Sequence, residues 1–142
     1  MGQEATGRVA LMSIHPRYAN AILDGHKTVE FRKRPLADDV THVVIYSTVP
    51  EKAVIGFFSI ESQETRTPVT LWEEFHDQGV IEREAFFAYY AGSERGTGIR
   101  VRRAVRLRRK ISLTQDLGVA RPPQCFQYLD DASFQKVVAS AD

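Results

Sequence analysis

The order of apolar and alternating runs predicts an α+β fold in which one small, strongly bent or closed sheet of mixed strand pairing is surrounded by short helices. Three observations carry this. Five or six runs have the length and period of strands, the helical stretches between them are short, and those helices recur too irregularly for a doubly wound parallel sheet. A chain of 142 residues, 43% hydrophobic and 26% charged, fits an ordinary globular domain. At this length about 68–70% of the unfolded chain's surface can be buried without help from disulfides or metal. One domain is expected over residues 9–142, behind a polar leader at 1–8.

Val9 to Ile14 is a short apolar run suited to a buried strand. A helix follows, with Pro16 at its first position, Tyr18/Ile22 and Ala19/Leu23 spaced four apart on one face, and Gly25 just past its end. Thr28 to Arg32 alternates: Val29 and Phe31 point one way, Thr28, Glu30 and Arg32 the other, as in a half-buried strand. Pro35 and the Asp38, Asp39 pair mark a loop, and Val43 to Tyr46 reads as a central strand. In the strand from Ala53 to Glu61, Gly56 predicts a bulge or a close approach.

Two short helices are expected at Thr70 to Phe75, capped by Thr70 with Glu73 as a capping box, and at Glu82 to Tyr90, with Trp72, Phe75, Phe86 and Tyr89 facing the core. Beyond the glycines of Gly92 to Gly98, Ile99 to Ile111 alternates with arginines, and its length predicts a bend or bulge near Arg103 and Ala104. A helical turn at Leu113 to Leu117, an extended elbow at Pro122 and Pro123, apolar anchors at Phe126, Tyr128 and Leu129, and a helix from Ala132 to Val138 complete the chain.

The net charge of +1 conceals a segregation. Arg95 to Lys110 holds eight basic residues and no acid, whereas Glu73 to Glu84 holds five acids. Such asymmetry makes one face a candidate seat for a polyanion. On an edge strand, the same arginines would serve solubility and block edge-to-edge pairing. Along a cleft, Arg100, Arg102, Arg106, Arg108 and Lys110 would track a phosphate backbone, and Tyr18, Tyr46, Trp72 and Tyr90 are candidate stacking surfaces for unpaired bases.

No HExxH, CxxC or GxxxxGK[ST] occurs, and His15, His26, His42 and His76 show no ligand spacing, so neither a metal nor another cofactor is expected. The single cysteine, Cys125, fits a reducing compartment and reads as a small buried hydrophobe. No apolar run approaches the roughly 20 residues of a membrane span, and the leader lacks a secretory core, so a cytoplasmic location is expected. The densest polar group is Gly25-His26-Lys27-Thr28-Val29-Glu30-Phe31-Arg32. Its hydroxyl, carboxylate and guanidinium form either a solvated outer face or a polar cleft.

Ser13 to Ala19 followed by Ile22 to Arg32 resembles the start of the ASCH family, whose hallmark GxKxxExR falls on Gly25, Lys27, Glu30 and Arg32. Pro122-Pro123-Gln124-Cys125-Phe126-Gln127-Tyr128-Leu129 resembles the closing PPQSFxYL-like segment of a subgroup regarded as transcriptional regulators. The resemblance implies a PUA-like β-barrel with a cleft lined by Gly25, Lys27, Glu30 and Arg32, which the strand alternation extends to Thr28, and a ligand that is RNA or a nucleotide-like small molecule. The family also implies an alternative, because it contains ribonucleases and an acetylcytidine amidohydrolase. In the amidohydrolase a threonine stands three residues after the lysine, where this chain has Glu30. The departure counts against that activity and favours a binding protein over an enzyme; an enzyme of this fold would rely on Lys27, Thr28 and Glu30.

Overall fold

A computed structural model describes Ala5 and residues 7–142, so most of the expected leader lies outside the described residues. Six strands and five helices follow one another: β1 (Arg8–Ile14), α1 (Pro16–Leu23), β2 (Val29–Arg32), β3 (Val40–Ser47), β4 (Ala53–Arg66), α2 (Pro68–Gly79), α3 (Arg83–Tyr89), β5 (Gly96–Ile111), α4 (Leu113–Leu117), β6 (Phe126–Leu129) and α5 (Asp131–Ala139). They form one sheet of order β2-β5-β4-β3-β1-β6, in which β1 and β3 run parallel and the other pairs antiparallel. The pairing is mixed, as expected, but the sheet does not close into a barrel. Backbone hydrogen bonding stops at β2 on one side and at β6 on the other.

The sheet is nonetheless strongly curled. Arg32, on the edge strand β2, donates from Nη2 to the Ser13 carbonyl of β1 at 3.0 Å, although three strands separate β2 from β1 in the hydrogen-bonded order. One apolar cluster joins Ala10, Met12 and Ile14 of β1 to Ile99 of β5 and to Ala19 and Ile22 of α1. A second, on the other face, packs Leu11, Val44 and Phe57 against Leu113, Phe134 and Val137 of α4 and α5. A third buries Val29 and Phe31 of β2 under Leu71, Phe86 and Tyr90. Two of the three register shifts between β4 and β5 fall where the sequence marks them. The register of β5 against β4 shifts between Ser59 and Ile60, opposite Arg103 and Val101, and a second shift lies at Gly56. A Cβ on Gly56 would sit 2.5 Å from Leu23 Cδ2, so the glycine lets α1 lie directly on the sheet.

Several expectations are corrected. The helix α2 begins at Pro68, with Thr67 as its cap accepting from the Thr70 amide at 3.3 Å; Thr70 is already inside it. Proline at the first position fixes φ and lacks an amide proton that would go unused there, a stronger start signal than Thr70 and Glu73. Phe126 to Leu129 forms an edge strand, β6, paired with Val9 to Met12. The basic strand β5 is not at an edge, since β2 and β4 flank it. In α3 the buried face is centred on Phe86 and Tyr90, and Tyr89 is 38% exposed. Cys125 is exposed.

Candidate functional site

Gly25 ends α1 in the left-handed conformation, φ 86°, which glycine adopts without strain. The amides of His26 and Lys27 both return to the Ala21 carbonyl, so the turn is tight and delivers Lys27 at once to the start of β2. The Lys27 side chain is 2% exposed and runs between the rings of Tyr18 and Phe31, with Nζ 5.1 and 5.3 Å from their centroids. Its ammonium donates to the Gly79 carbonyl at the last turn of α2, where the helix dipole places partial negative charge. A Cβ on Gly79 would collide with the Phe31 ring, and the following Val80 is held at φ 51°, a conformation a β-branched residue rarely takes.

Glu30 sits between two cations. Its Oε1 lies 3.5 Å from Lys27 Nζ, and its Oε2 accepts from Arg32 Nε at 3.0 Å and Nη2 at 2.8 Å. Burial pushes the Lys27 ammonium below the ordinary lysine pKa, with the Glu30 carboxylate acting in the opposite direction. Two positive groups and one carboxylate leave the cluster with an excess of positive charge.

Lys27, Glu30 and Arg32 line one cavity of about 310 Å³ together with Ile14, His15, Tyr18, Phe31, Ile81, Ala85 and Tyr89. It opens at the seam where the sheet fails to close: β1 and α1 form one wall, β2 the floor, and the α2–α3 connection with α3 the opposite wall. Two tyrosines from different elements, Tyr18 and Tyr89, flank it. His15 caps α1 by accepting the Arg17 amide on Nδ1 at 3.2 Å. With Nδ1 occupied as an acceptor, a neutral His15 carries its proton on Nε2.

The expected site is therefore only partly assembled here. Lys27, Glu30 and Arg32 come together. Thr28 does not join them: it is exposed and lines a small separate depression with Arg100, Gln78 and Glu61, because the regular alternation begins only at Val29. Gly25 contributes a turn and no cavity wall. Of the proposed stacking residues, Tyr18 borders the cavity, whereas Tyr46 and Tyr90 are 6% and 2% exposed and belong to the core. Trp72 packs against the third cluster. His15 and Tyr89 were not singled out as site residues by the sequence, since neither helix phase nor spacing says which residues meet across a gap between strands.

Three of the five basic residues expected to meet phosphates are ion-paired within the protein. Arg102 pairs with Glu61 at 3.0 Å, Arg106 with Asp24 at 2.8 Å and Lys110 with Glu51 at 2.6 Å. Asp24 at the C-terminal cap of α1, Glu61 within β4 and Glu51 in the turn before β4 supply partners that a count along β5 cannot see. Among the described residues, Arg100 and Arg108 have no carboxylate within ion-pair reach.

No family model matches the chain. An ASCH domain-containing ribonuclease of Zymomonas mobilis is 34% identical over 134 residues, which cover 92% of this chain and 90% of that protein. The chain belongs to the ASCH-domain family. The crystal structure of the Zymomonas mobilis ASCH protein superposes with a TM-score of 0.84 at 31% identity, covering 94% of this chain and 96% of that one. The large ribosomal subunit protein uL22 of Ureaplasma parvum is 30% identical over 128 residues, covering 89% of this chain but 41% of that protein. In this ASCH chain the hallmark lysine, glutamate and arginine are the three charged groups of the seam cavity. No helix is long and apolar enough to cross a membrane.

Proposed function

We propose that this protein binds unpaired RNA, or a nucleotide-like ligand, in the seam cavity. The observation that carries the reading is the convergence of Lys27, Glu30 and Arg32 on one chamber flanked by Tyr18 and Tyr89. A base can stack on an exposed tyrosine whatever its sequence. The Glu30 carboxylate can accept from an exocyclic amine, while Lys27 and Arg32 can hold a carbonyl or a phosphate. The Arg100 and Arg108 guanidiniums would add sequence-independent attraction along β5. A regulatory role, implied by the closing segment, would act through the same contact.

A second reading, cleavage of RNA, is favoured by the ribonuclease name of the Zymomonas relative. RNA brings its own nucleophile, the 2′-hydroxyl, so a serine, threonine or cysteine in the chamber is unnecessary. Attack of that hydroxyl on the adjacent phosphorus forms a 2′,3′-cyclic phosphate and breaks the bond to the 5′-oxygen, with the 2′ proton lost to water and the 5′-oxygen protonated from water; Lys27 and Arg32 would stabilise the charge gathered on the phosphoryl oxygens.

Fluorescence anisotropy with a labelled single-stranded RNA at low salt tests both. Lys27→Met should weaken binding by about 1.5–3 kcal/mol, the value of a charge-assisted hydrogen bond. Denaturing gels of the same mixtures report cleavage. Wild-type affinity in both Lys27→Met and Tyr18→Ala would overturn the assignment of the chamber.

A further inference from the structure

The seam holds a second chamber. It has a volume of about 240 Å³ and is lined by Met12, Arg32, Lys33, Arg34, Leu36, Tyr89, Gln124, Cys125 and Phe126. Arg32 and Tyr89 line both chambers, so the two are neighbours along one gap. Their chemistry differs. The first contains the carboxylate of Glu30, whereas the second is lined by three cations and no acid. Lys33 stands with Nζ 5.1 Å from the centroid of the Tyr89 ring, and among the described residues neither Lys33 nor Arg34 has a carboxylate within ion-pair reach. On Arg32, Nε and Nη2 are engaged with Glu30 and the Ser13 carbonyl, while Nη1 makes no hydrogen bond among the described residues.

The far wall comes from the other end of the chain. Ser13 Oγ donates to the Pro123 carbonyl at 2.7 Å, and β6 pairs with β1, so residues 123–126 are drawn across the gap toward Arg34. Two cations with no counter-charge among the described residues, Lys33 and Arg34, beside the free Nη1 of the Glu30-paired Arg32, form a site for an anion. Its position beside a chamber walled by aromatic rings makes that anion part of a larger ligand.

We propose that the second chamber is the phosphate subsite of the ligand whose base enters the first. Arg32 stands at the junction, and Lys33 and Arg34 grip the phosphate beyond it. The ligand class is then a nucleoside phosphate or a phosphodiester of an RNA chain, and a bare nucleoside lacks half of the recognition. This inference rests on the proposed function, from which the following experiment separates it.

Cys125 is the only cysteine in the sequence and is exposed in the second chamber, so its alkylation by iodoacetamide, read by intact mass, reports occupancy of that chamber. The probes are the four ribonucleosides, their 5′- and 3′-monophosphates, and a dinucleoside monophosphate. Binding of each is measured in parallel by calorimetry. Monophosphates or the dinucleoside monophosphate should bind about tenfold or more tightly than the nucleosides and slow alkylation, whereas nucleosides leave the rate nearly unchanged. Protection by the dinucleoside monophosphate alone identifies a chain phosphodiester; protection by a monophosphate alone identifies a free nucleotide.

The double variant Lys33→Gln/Arg34→Gln should lose the preference for phosphate while keeping nucleoside affinity. Equal binding of nucleosides and nucleotides, with Cys125 unprotected by either, overturns the phosphate subsite and leaves the first chamber standing. Failure of every probe to bind overturns both.

Discussion

The charge arrangement around Glu30 makes opposite demands on its two neighbours, and paired substitutions expose the difference. Among the described residues, Glu30 is the only acid lining the first chamber, and it faces Lys27 at 3.5 Å and Arg32 at 2.8 Å. Removing one partner of a buried ion pair costs about 3–5 kcal/mol, because the charge left behind remains out of water. Two features reduce this for Glu30→Gln: the Arg32 side chain is 18% exposed, and the glutamine oxygen can still accept one guanidinium bond. The expected loss is about 2–4 kcal/mol. For a chain of this size that corresponds to a Tm lower by roughly 6–16 °C.

Lys27→Met acts the other way. It removes a buried ammonium, whose desolvation opposes folding, and places an apolar chain of similar length between Tyr18 and Phe31. Against this, the Gly79 carbonyl loses its donor, at about 1–3 kcal/mol. The net change should stay within about 1.5 kcal/mol of zero. Thermal denaturation by circular dichroism, with urea unfolding followed through Trp72, the single tryptophan, measures both. Equal losses in the two variants, or a loss below about 1 kcal/mol for Glu30→Gln, would refute the argument by showing that the carboxylate is effectively solvated.

Other consequences can be checked as directly. Gly56→Ala places a methyl group 2.5 Å from Leu23 Cδ2 and 2.7 Å from the Val105 carbonyl, so urea unfolding should show a loss of about 1–3 kcal/mol. Burial lowers the His42 pKa below its usual 6.5; the unfolded chain then binds the proton more readily, so stability falls as pH drops below 6.5, and His42→Gln should flatten that part of a Tm-against-pH curve. In RNA binding, Arg100→Gln and Arg108→Gln should each reduce the slope of log K against log salt by about 0.7, whereas Arg102→Gln should reduce it less, since Glu61 already neutralises that guanidinium. Acetylcytidine should not be deacetylated, because Glu30 stands where the amidohydrolase has its threonine and the Thr28 hydroxyl lies outside the chamber; chromatographic detection of cytidine formed by wild type and lost in Thr28→Ala would contradict this.

The elements that sequence revealed are those set by local chemistry. Pro16 and Gly25 bracket α1, the alternation of Val29 and Phe31 fixes which side of β2 is buried, and the interruption at Arg103 marks the bulge in β5. What escaped depends on partners distant in the chain. The span Phe126 to Leu129 is a strand because β1 offers it an edge, a fact absent from its own four residues. Tyr89 and Tyr90 differ by one step of a helix only seven residues long, and the packing of Tyr90 under Gly96 decides which is buried. The acids paired with Arg102, Arg106 and Lys110 lie 41, 82 and 59 positions away along the chain.

The open seam explains why these groups occur together. In a closed barrel, β2 would complete its hydrogen bonds on the neighbouring strand, and its polar side chains would face either a filled interior or bulk water. Here a side chain does part of that work: the Arg32 guanidinium reaches the Ser13 carbonyl, and Glu30 holds the guanidinium in place. The Lys27 and Glu30 side chains beside the gap are only 2% and 8% exposed, which strengthens their charge interactions, yet both chambers stay open to a ligand. The bridge that fastens the two sides of the sheet therefore consists of the same residues that present charge to the cavity. A substitution at Arg32 should accordingly weaken stability and ligand affinity together, while one at Lys33, whose ammonium meets only the half-exposed Tyr89 ring, or at Arg34 should weaken affinity with little loss of stability.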